Sequence, residues 1–319
     1  MMPNRHPRFA CIGLVSWDRL LAVETYPAAG GMAIVSEEIS APGGNTGNTA
    51  VALARLGGQV AIAAAIGDDQ RGVEVRAALA AENVNTEWLV VKPGEITDLA
   101  TMIVSQQPLD RTVYWEKGAT LVRHDPLAIS DLLMNDVVIL DAADVPLRRW
   151  LLDLPAHTVP TVRLLGPLTN LVEGETSDVF DLALRHDVIV SNERDLLHVT
   201  GTWTLSDAIA ALQHRMRGQN LRAALVTRAE EGCRVITENE RFNIPAFPVS
   251  AIDPTGAGDA FVAGVAWGMA QRWSWPEIGR FANAVGALAC CSLGAQVSLP
   301  NLTEVEALLV AHPTEPATG

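Results

Sequence analysis

Short apolar runs alternate with helical stretches along most of this chain, and that alternation limits its fold more than any other feature. Residues 9–15 and 60–66 read as buried strands, being continuous apolar runs too short for core helices. Residues 137–140, 161–165, 188–190 and 224–227 read the same way. An alanine-rich helix is expected over 48–56, entered through Gly43-Gly44, with others over 71–82, 147–152, 178–184 and 204–217. Such alternation predicts the α/β class, with helices layered on both faces of a mainly parallel sheet. Segments 19–40 and 99–115 interrupt the pattern and read as strands of a small additional sheet. In the second, 101–105 and 112–115 form a hairpin around a polar turn at 106–111. Ligands of open α/β sheets lie beyond the carboxyl ends of the strands, where this chain places its glycine-rich turns.

With 319 residues, 49% of them hydrophobic and 19% charged, the chain has the makings of one large globular domain, expected over 1–312 with a loose tail at 313–319. Its formal net charge is -14 and Lys92 and Lys117 are its only lysines, which argues against nucleic-acid or anionic-membrane surfaces. A bound nucleotide would depend on backbone donors, arginines and a metal ion. Cys11, Cys233, Cys290 and Cys291 lack zinc-type spacing and read as reduced thiols, the last two on a buried helix. The polar start at 1–8 precedes an apolar run too short for a signal peptide, and no run of eighteen apolar residues occurs. A cytosolic protein is expected.

The segment Asp253-Pro254-Thr255-Gly256-Ala257-Gly258-Asp259 follows an apolar run at 247–252, read as a strand, and feeds a helix that begins at the aspartate. The first N–H groups of a helix lack intrahelical partners, and the helix dipole adds positive potential there. Gly256 and Gly258 let an anion approach the backbone, with Asp259 beside it. An aspartate at a helix start is also the commonest kind of cap. A second cluster, Gly43-Gly44-Asn45-Thr46-Gly47-Asn48, combines close backbone approach with amides able to donate to and accept from hydroxyls, though it also suits an asparagine-capped turn. Asp18 follows the first strand. Two further segments follow strands, Ser191-Asn192-Glu193-Arg194-Asp195 and Thr227-Arg228-Ala229-Glu230-Glu231-Gly232, and near the end Ser292-Leu293-Gly294-Ala295-Gln296-Val297-Ser298 follows a small-residue helix at 281–289.

In this order the segments resemble the signatures of the ribokinase-like (PfkB) carbohydrate kinases, over roughly residues 9–310. The resemblance implies an ATP- and Mg2+-dependent phosphotransferase with a layered α/β/α fold and a small β-sheet lid, its strands within 16–40 and 99–116. It makes Asp259 the catalytic base, with the amides of Gly256, Ala257 and Gly258 as anion hole. Asp18, Gly43, Gly44, Asn45 and Asn48 would bind a small sugar. Asn192, Thr227, Arg228, Gly232 and Asn283 would line the nucleotide, and Asp195 would organise Mg2+ through water. Asp253, Thr255, Ala289, Ser292, Gly294 and Ser298 would hold a monovalent cation such as K+. The lid strands would also carry a homodimer contact. Three positions depart from the pattern: Thr46 replaces a smaller residue, Asp195 a glutamate and Ala229 a glycine.

The acceptor stays open at this point between a ribose- or ketohexose-like sugar and a nucleoside, the latter using Tyr114 or Trp115 against its base. Asn45 and the scarcity of lysine argue against a phosphosugar, with Arg111 a candidate cation for one. A sugar- or nucleotide-binding protein without catalysis is the reading from another class. No Walker P-loop and no H-E-x-x-H occur. Histidines such as His6, His157, His186 and His214 read as surface residues, and Trp267, Trp273 and Trp275 as packing around one helix end.

Overall fold

A computed structural model describes residues 6–154, 162–169 and 176–313. The strands are β1 (Arg8–Gly13), β2 (Ser16–Val23), β3 (Val35–Gly43), β4 (Gln59–Gly67), β5 (Val84–Lys92), β6 (Leu99–Gln106), β7 (Leu109–Glu116), β8 (Val137–Leu140), β9 (Arg163–Pro167), β10 (Val188–Asn192), β11 (Ala223–Thr227), β12 (Cys233–Thr237) and β13 (Arg241–Ile244). The helices are α1 (Asn45–Arg55), α2 (Gln70–Ala81), α3 (Ile129–Leu133), α4 (Val145–Asp153), α5 (Thr176–Ala183), α6 (Glu193–Thr200), α7 (Leu205–Met216), α8 (Ala257–Gln271), α9 (Trp275–Ala289) and α10 (Leu302–Ala311).

Among the described residues, nine strands form one sheet in the order β13-β12-β11-β10-β9-β8-β1-β4-β5, parallel except for β12 and β13 at one edge. Strand β1 is central, and Cys11 pairs with Ile62 of β4 on one side and Ile139 of β8 on the other. Because side chains alternate across a strand, Phe9 and Cys11 enter one core while Ala10 and Ile12 enter the other. The first core is covered by α1, α2, α8, α9 and α10, the second by α4 to α7. Strands buried on both faces explain why the sequence shows continuous apolar runs there. Phe9 stacks on Trp267 and Trp273 packs edge-on to Phe281, so these tryptophans are packing residues, as their spacing suggests.

The second sheet runs β3-β2-β6-β7, with β2 and β6 parallel and the outer pairs antiparallel. Its register places Asp18, Leu20 and Ala22 on the same face as Ala100, Met102 and Val104 and as Arg111, Val113 and Trp115.

Several local expectations need correction. Helix α1 starts at Asn45 instead of 48, because Gly44 at φ 83° lets the chain turn straight from β3 into the helix. The β6–β7 hairpin closes at residues 107–108, since Gln106 already pairs with Leu109. Residues 247–252 form no strand: Pro248 removes a donor, and the Ile252 and Asp253 amides both donate to Cys290 O at the end of α9. Cys290 and Cys291 lie just past that helix and are half-buried. His186 is fully buried with Nδ1 against Leu182 O, and burial pushes its pKa down to about 3, so it is neutral. His157, Thr161 and the tail beyond Pro313 lie outside the described residues. β5, β12 and β13 were not among the expected strands.

Candidate active site

The turn before α8 is braced from within. Asp253 is fully buried; its Oδ1 accepts from Thr255 N at 2.9 Å and its Oδ2 from Gly294 N at 2.8 Å. Gly256 follows at φ 80°, where a Cβ would lie 2.7 Å from Ala295 O, so only glycine fits. The helix begins at Ala257, which moves Asp259 from the expected helix start into the first turn. Asp259 caps nothing. Its Oδ2 accepts from Asn48 Nδ2 at 2.8 Å, across from α1. The Ala257 N–H already donates to Pro254 O at 3.2 Å, so among the three expected anion-hole amides those of Gly256 and Gly258 remain at the helix mouth. Above Gly258 a Cβ would meet nothing within 4 Å, so its glycine leaves open space for a ligand.

Asp18 comes from β2 of the small sheet. Ser16 Oγ donates to its Oδ1 at 2.6 Å, and the Gly44 amide also donates to it. A Cβ on Gly43 would sit 2.0 Å from Asp18 Oδ2, so the first glycine of the cluster makes room for this carboxylate. The second, Gly44, passes so close to Val15 and Ser16 that a Cβ would lie 2.7 Å from Val15 Cα. Thr46 is buried; its Oγ1 accepts from Leu14 N at 3.0 Å and faces Asp141 Oδ2 at 3.5 Å, which accommodates the larger side chain. Asn45 is half-buried at the start of α1 with no protein partner for its amide among the described residues. Asn48, by contrast, is committed to protein: it donates to Asp259 and accepts from Gln296 Nε2 at 3.0 Å.

Two carboxyls are thereby shifted towards neutrality. Burial pushes Asp259 from 3.8 up to about 7, with the negative charges of Asp141 and Asp18 adding to it; Asn48 and Arg111 act in the opposite direction. Burial also raises Asp18 to about 6, opposed by Ser16, Arg111 and the Gly44 amide. A base that titrates near neutrality has the basicity to take a hydroxyl proton and the acidity to release it.

Of the expected nucleotide residues, Asn192, Thr227 and Arg228 lie at the carboxyl ends of β10 and β11, Gly232 directly precedes β12 and Asn283 is on α9. Asn192 caps α6, accepting from Asp195 N at 2.7 Å and donating to Asp195 Oδ2 at 2.9 Å. Thr227 Oγ1 donates to Ser191 O at 3.3 Å, tying the two strands together. Arg228 is held between Glu193 and Glu231, the latter at 2.7 Å. Ala229 adopts φ 47°, so the turn keeps the left-handed backbone that a glycine would favour, at a steric cost. At Gly232, φ 90°, a Cβ would lie 2.1 Å from Ile244 O. Asn283 donates to Ile244 O and Pro245 O, both at 3.0 Å, so its amide anchors the chain after β13.

The residues expected around a monovalent cation are tied into one neighbourhood: Gly294 to Asp253 as above, and Ser298 Oγ to Ala289 O at 2.5 Å. Ser292 lies between them in the same loop. Thr255 Oγ1 is buried without a hydrogen-bond partner, which fits an oxygen donor waiting for a cation. No group of three His, Cys, Asp or Glu side chains suited to a metal occurs among the described residues.

Three contributors were not anticipated in these positions. Asp141, at the carboxyl end of β8, is 1% exposed and lies 3.8 Å from Arg148 Nη2, itself 0% exposed. An aspartate directly after the run Val137–Leu140 was the available signal. Arg111, read as a phosphosugar candidate, reaches from β7 to Pro254 O at 3.2 Å. Gln296 gave no local signal. Both lysines are used elsewhere, Lys92 with Asp125 and Lys117 over Trp115. A depression of about 410 Å³ between Asp187, Met216, Arg222 and Glu238 lies at the amino ends of β10 and β11, away from every glycine-rich turn.

Residues 7–302 match the model of the pfkB family carbohydrate kinases. The chain is 28% identical to a ribokinase of Bacillus subtilis strain 168, over 93% of this chain and 98% of that protein. It is 27% identical to fructokinase-1 of rice, Oryza sativa subsp. japonica, over 92% and 96% of the two chains. Its fold matches a ribokinase from Thermotoga maritima with TM-score 0.79 at 21% identity, covering 96% of this chain and 100% of that one. It also matches a fructokinase with bound ATP from Xylella fastidiosa, with TM-score 0.79 at 23% identity over 95% and 98%. Among the described residues no helix is long and apolar enough to cross a membrane.

Proposed function

This chain belongs to the pfkB family of carbohydrate kinases and is an ATP-dependent sugar kinase, and on that premise we propose that Asp259 is its base and a small ribose- or ketohexose-like sugar its acceptor. The observation that carries the reading is the setting of Asp259. Its carboxyl, raised to about 7, is turned by Asn48 at the mouth of a helix that carries the Gly256 and Gly258 amides, with open space above Gly258. A sugar hydroxyl placed there loses its proton to Asp259 as its oxygen bonds to the γ-phosphorus of ATP, and the bond from phosphorus to the ADP oxygen breaks. The two amides offset the charge on the phosphoryl oxygens.

Asp18 and Asn45 would hold the other sugar hydroxyls, one accepting and one able to do both. The loops carrying Asn192, Thr227 and Gly232 would take the nucleotide, with Arg228 released from its glutamates. Mg2+ would be held through water by Asp195, and when bound it offsets charge on the phosphate oxygens. The buried Thr255 hydroxyl and the carbonyls around it would accommodate K+.

A nucleoside acceptor is the second reading, favoured by one observation. Val113 and Trp115 share the Asp18 face of the lid sheet yet remain 48% and 44% exposed, as a base-stacking ceiling would require. An ATP-consumption screen of pentoses, ketoses, nucleosides and phosphosugars, with and without K+, separates these. Turnover of nucleosides over free sugars would select the second reading, and no turnover on any of them would overturn the first.

A further inference from the structure

We infer that Gln296 is a positioning residue for Asp259, setting through the Asn48 amide which atom the base faces. The inference rests on the reading of Asp259 as base. The loop that carries Gln296 lies against the anion-binding turn and is braced to it. Gly294 N donates to the buried Asp253 carboxylate at 2.8 Å, and Ala295 sits so close to Gly256 that no Cβ fits between them. At its other end Arg55 Nη1 donates to Gln296 O at 2.7 Å and Leu299 O at 2.9 Å. Arg55 is itself held by Glu82, at 3.0 Å and 2.7 Å. Arg55 and Asn48 both belong to α1, so helix and loop are fastened at two levels.

The polarity of the chain Gln296–Asn48–Asp259 follows from chemistry. An ionised carboxylate only accepts, so the Asn48 atom 2.8 Å from Asp259 Oδ2 has to be the amino nitrogen. That leaves the Asn48 carbonyl oxygen facing Gln296 at 3.0 Å, and the group there has to donate. Asn48 is 4% exposed, so water is a poor substitute for either partner. A donor at 296 therefore keeps Asn48 turned with its amino group on the base. An acceptor at 296 favours the flipped amide, whose carbonyl faces the Asp259 carboxylate and disfavours its ionised form. The charged groups around Asp259 are Asp18 on β2, Arg111 on β7 and Asp141 after β8, with Thr49 Oγ1 on the Asp259 carbonyl. Gln296 is neutral, so its leverage is through orientation and not charge.

The test compares pH profiles of kcat for the full-length enzyme and for Gln296→Met and Gln296→Glu, with ATP and the best acceptor from the screen. Val297→Glu is the charge control, because Val297 is 59% exposed beside Gln296 and adds a carboxylate to the loop without touching Asn48. In Gln296→Glu the acidic limb moves up by about one pH unit and kcat at pH 7 falls roughly fivefold, as expected for a lost hydrogen bond to a charged group. Gln296→Met, which only removes the donor, moves the limb in the same direction by less, and KM for ATP stays within a factor of about two of wild type. Wild-type limbs in both Gln296 variants, or the same shift in Val297→Glu as in Gln296→Glu, would overturn the inference. Asp259→Asn in parallel separates the two claims. Full turnover in that variant removes the base reading, whereas its loss alongside unshifted Gln296 limbs removes only the role of Gln296.

Discussion

Arg111 of the lid donates to the carbonyl oxygen of Pro254 at 3.2 Å, across 143 positions of sequence, and so ties the small sheet to the turn that precedes Asp259. The same guanidinium lowers the pKa of both Asp18 and Asp259. One arginine therefore links the position of the small sheet to the ionisation of both carboxyls.

Arg111→Ala removes both effects. Its kcat/KM for the sugar falls about tenfold or more at pH 7, and the acidic limb moves to higher pH. Arg111→Lys retains the limb better than the rate, since the charge survives and the planar fork does not. Steady-state kinetics across pH 5.5–9 decide it; an unmoved limb in Arg111→Ala would show that the charge does not reach the base.

Asp259→Asn lowers kcat by about 10²–10⁴-fold. Dissociation constants for ATP and the sugar, measured by calorimetry, change little because the amide conserves shape. Wild-type turnover in this variant would mean that another group takes the proton.

The same substitution reports on stability. The folded pKa of Asp259 is about 7 against 3.8 ordinarily, so between these values the folded state holds a proton that the unfolded chain has released. Stability contributed by this group is then highest below the ordinary pKa and declines as pH rises through the window, until above pH 7 the whole cost of burying the charge is present. Asp259→Asn raises Tm more at pH 8 than at pH 5, by some 2–4 °C for each kcal/mol recovered. Thermal melts at the two pH values check the sign, and an equal change at both would contradict it.

Two glycines near the acceptor are expected to respond differently to alanine. In Gly43→Ala the new methyl displaces the Asp18 carboxylate, so KM for the sugar rises while KM for ATP holds. In Gly258→Ala the protein has room, and stability changes by about 1 kcal/mol or less in the favourable direction. Activity falls all the same, because the methyl occupies the ligand's space. Unchanged kcat in Gly258→Ala would remove that glycine from the anion hole.

Ala229→Gly relaxes a left-handed alanine at φ 47°, a conformation that costs roughly 1–2 kcal/mol. KM for ATP falls, with Tm unchanged or slightly raised as glycine's own entropy offsets part of the relief. A higher KM for ATP would show that the strained turn already suits the nucleotide.

Much of the fold was readable because its signals are local. Residues 137–140 form a strand where the apolar run predicted one, and the hairpin of 99–116 fell within one small sheet. Strands β12 and β13 were harder to see, since β12 is buried but its short apolar run is broken by Arg234, and β13 alternates exposed and half-buried residues. At 247–252 the apolar pattern misled, because only Phe247 of the segment is buried and its last amide, of Ile252, bonds to a helix end instead of a sheet.

The alternating architecture, the glycine turns at one end of the sheet and the aspartate beside one of them were all legible in the order of residues. Periodicity and steric demand act within a few residues, so these features needed no knowledge of the fold. The surroundings of that aspartate emerged only on folding. Folding turned Asn48 away from a purely sugar-facing position onto Asp259, placed Gln296 behind it, and brought Asp141, Asp18 and Arg111 within electrostatic reach. These partners stand tens to more than two hundred residues apart in the chain, and only packing brings their atoms together and takes Asn48 and Asp141 out of water.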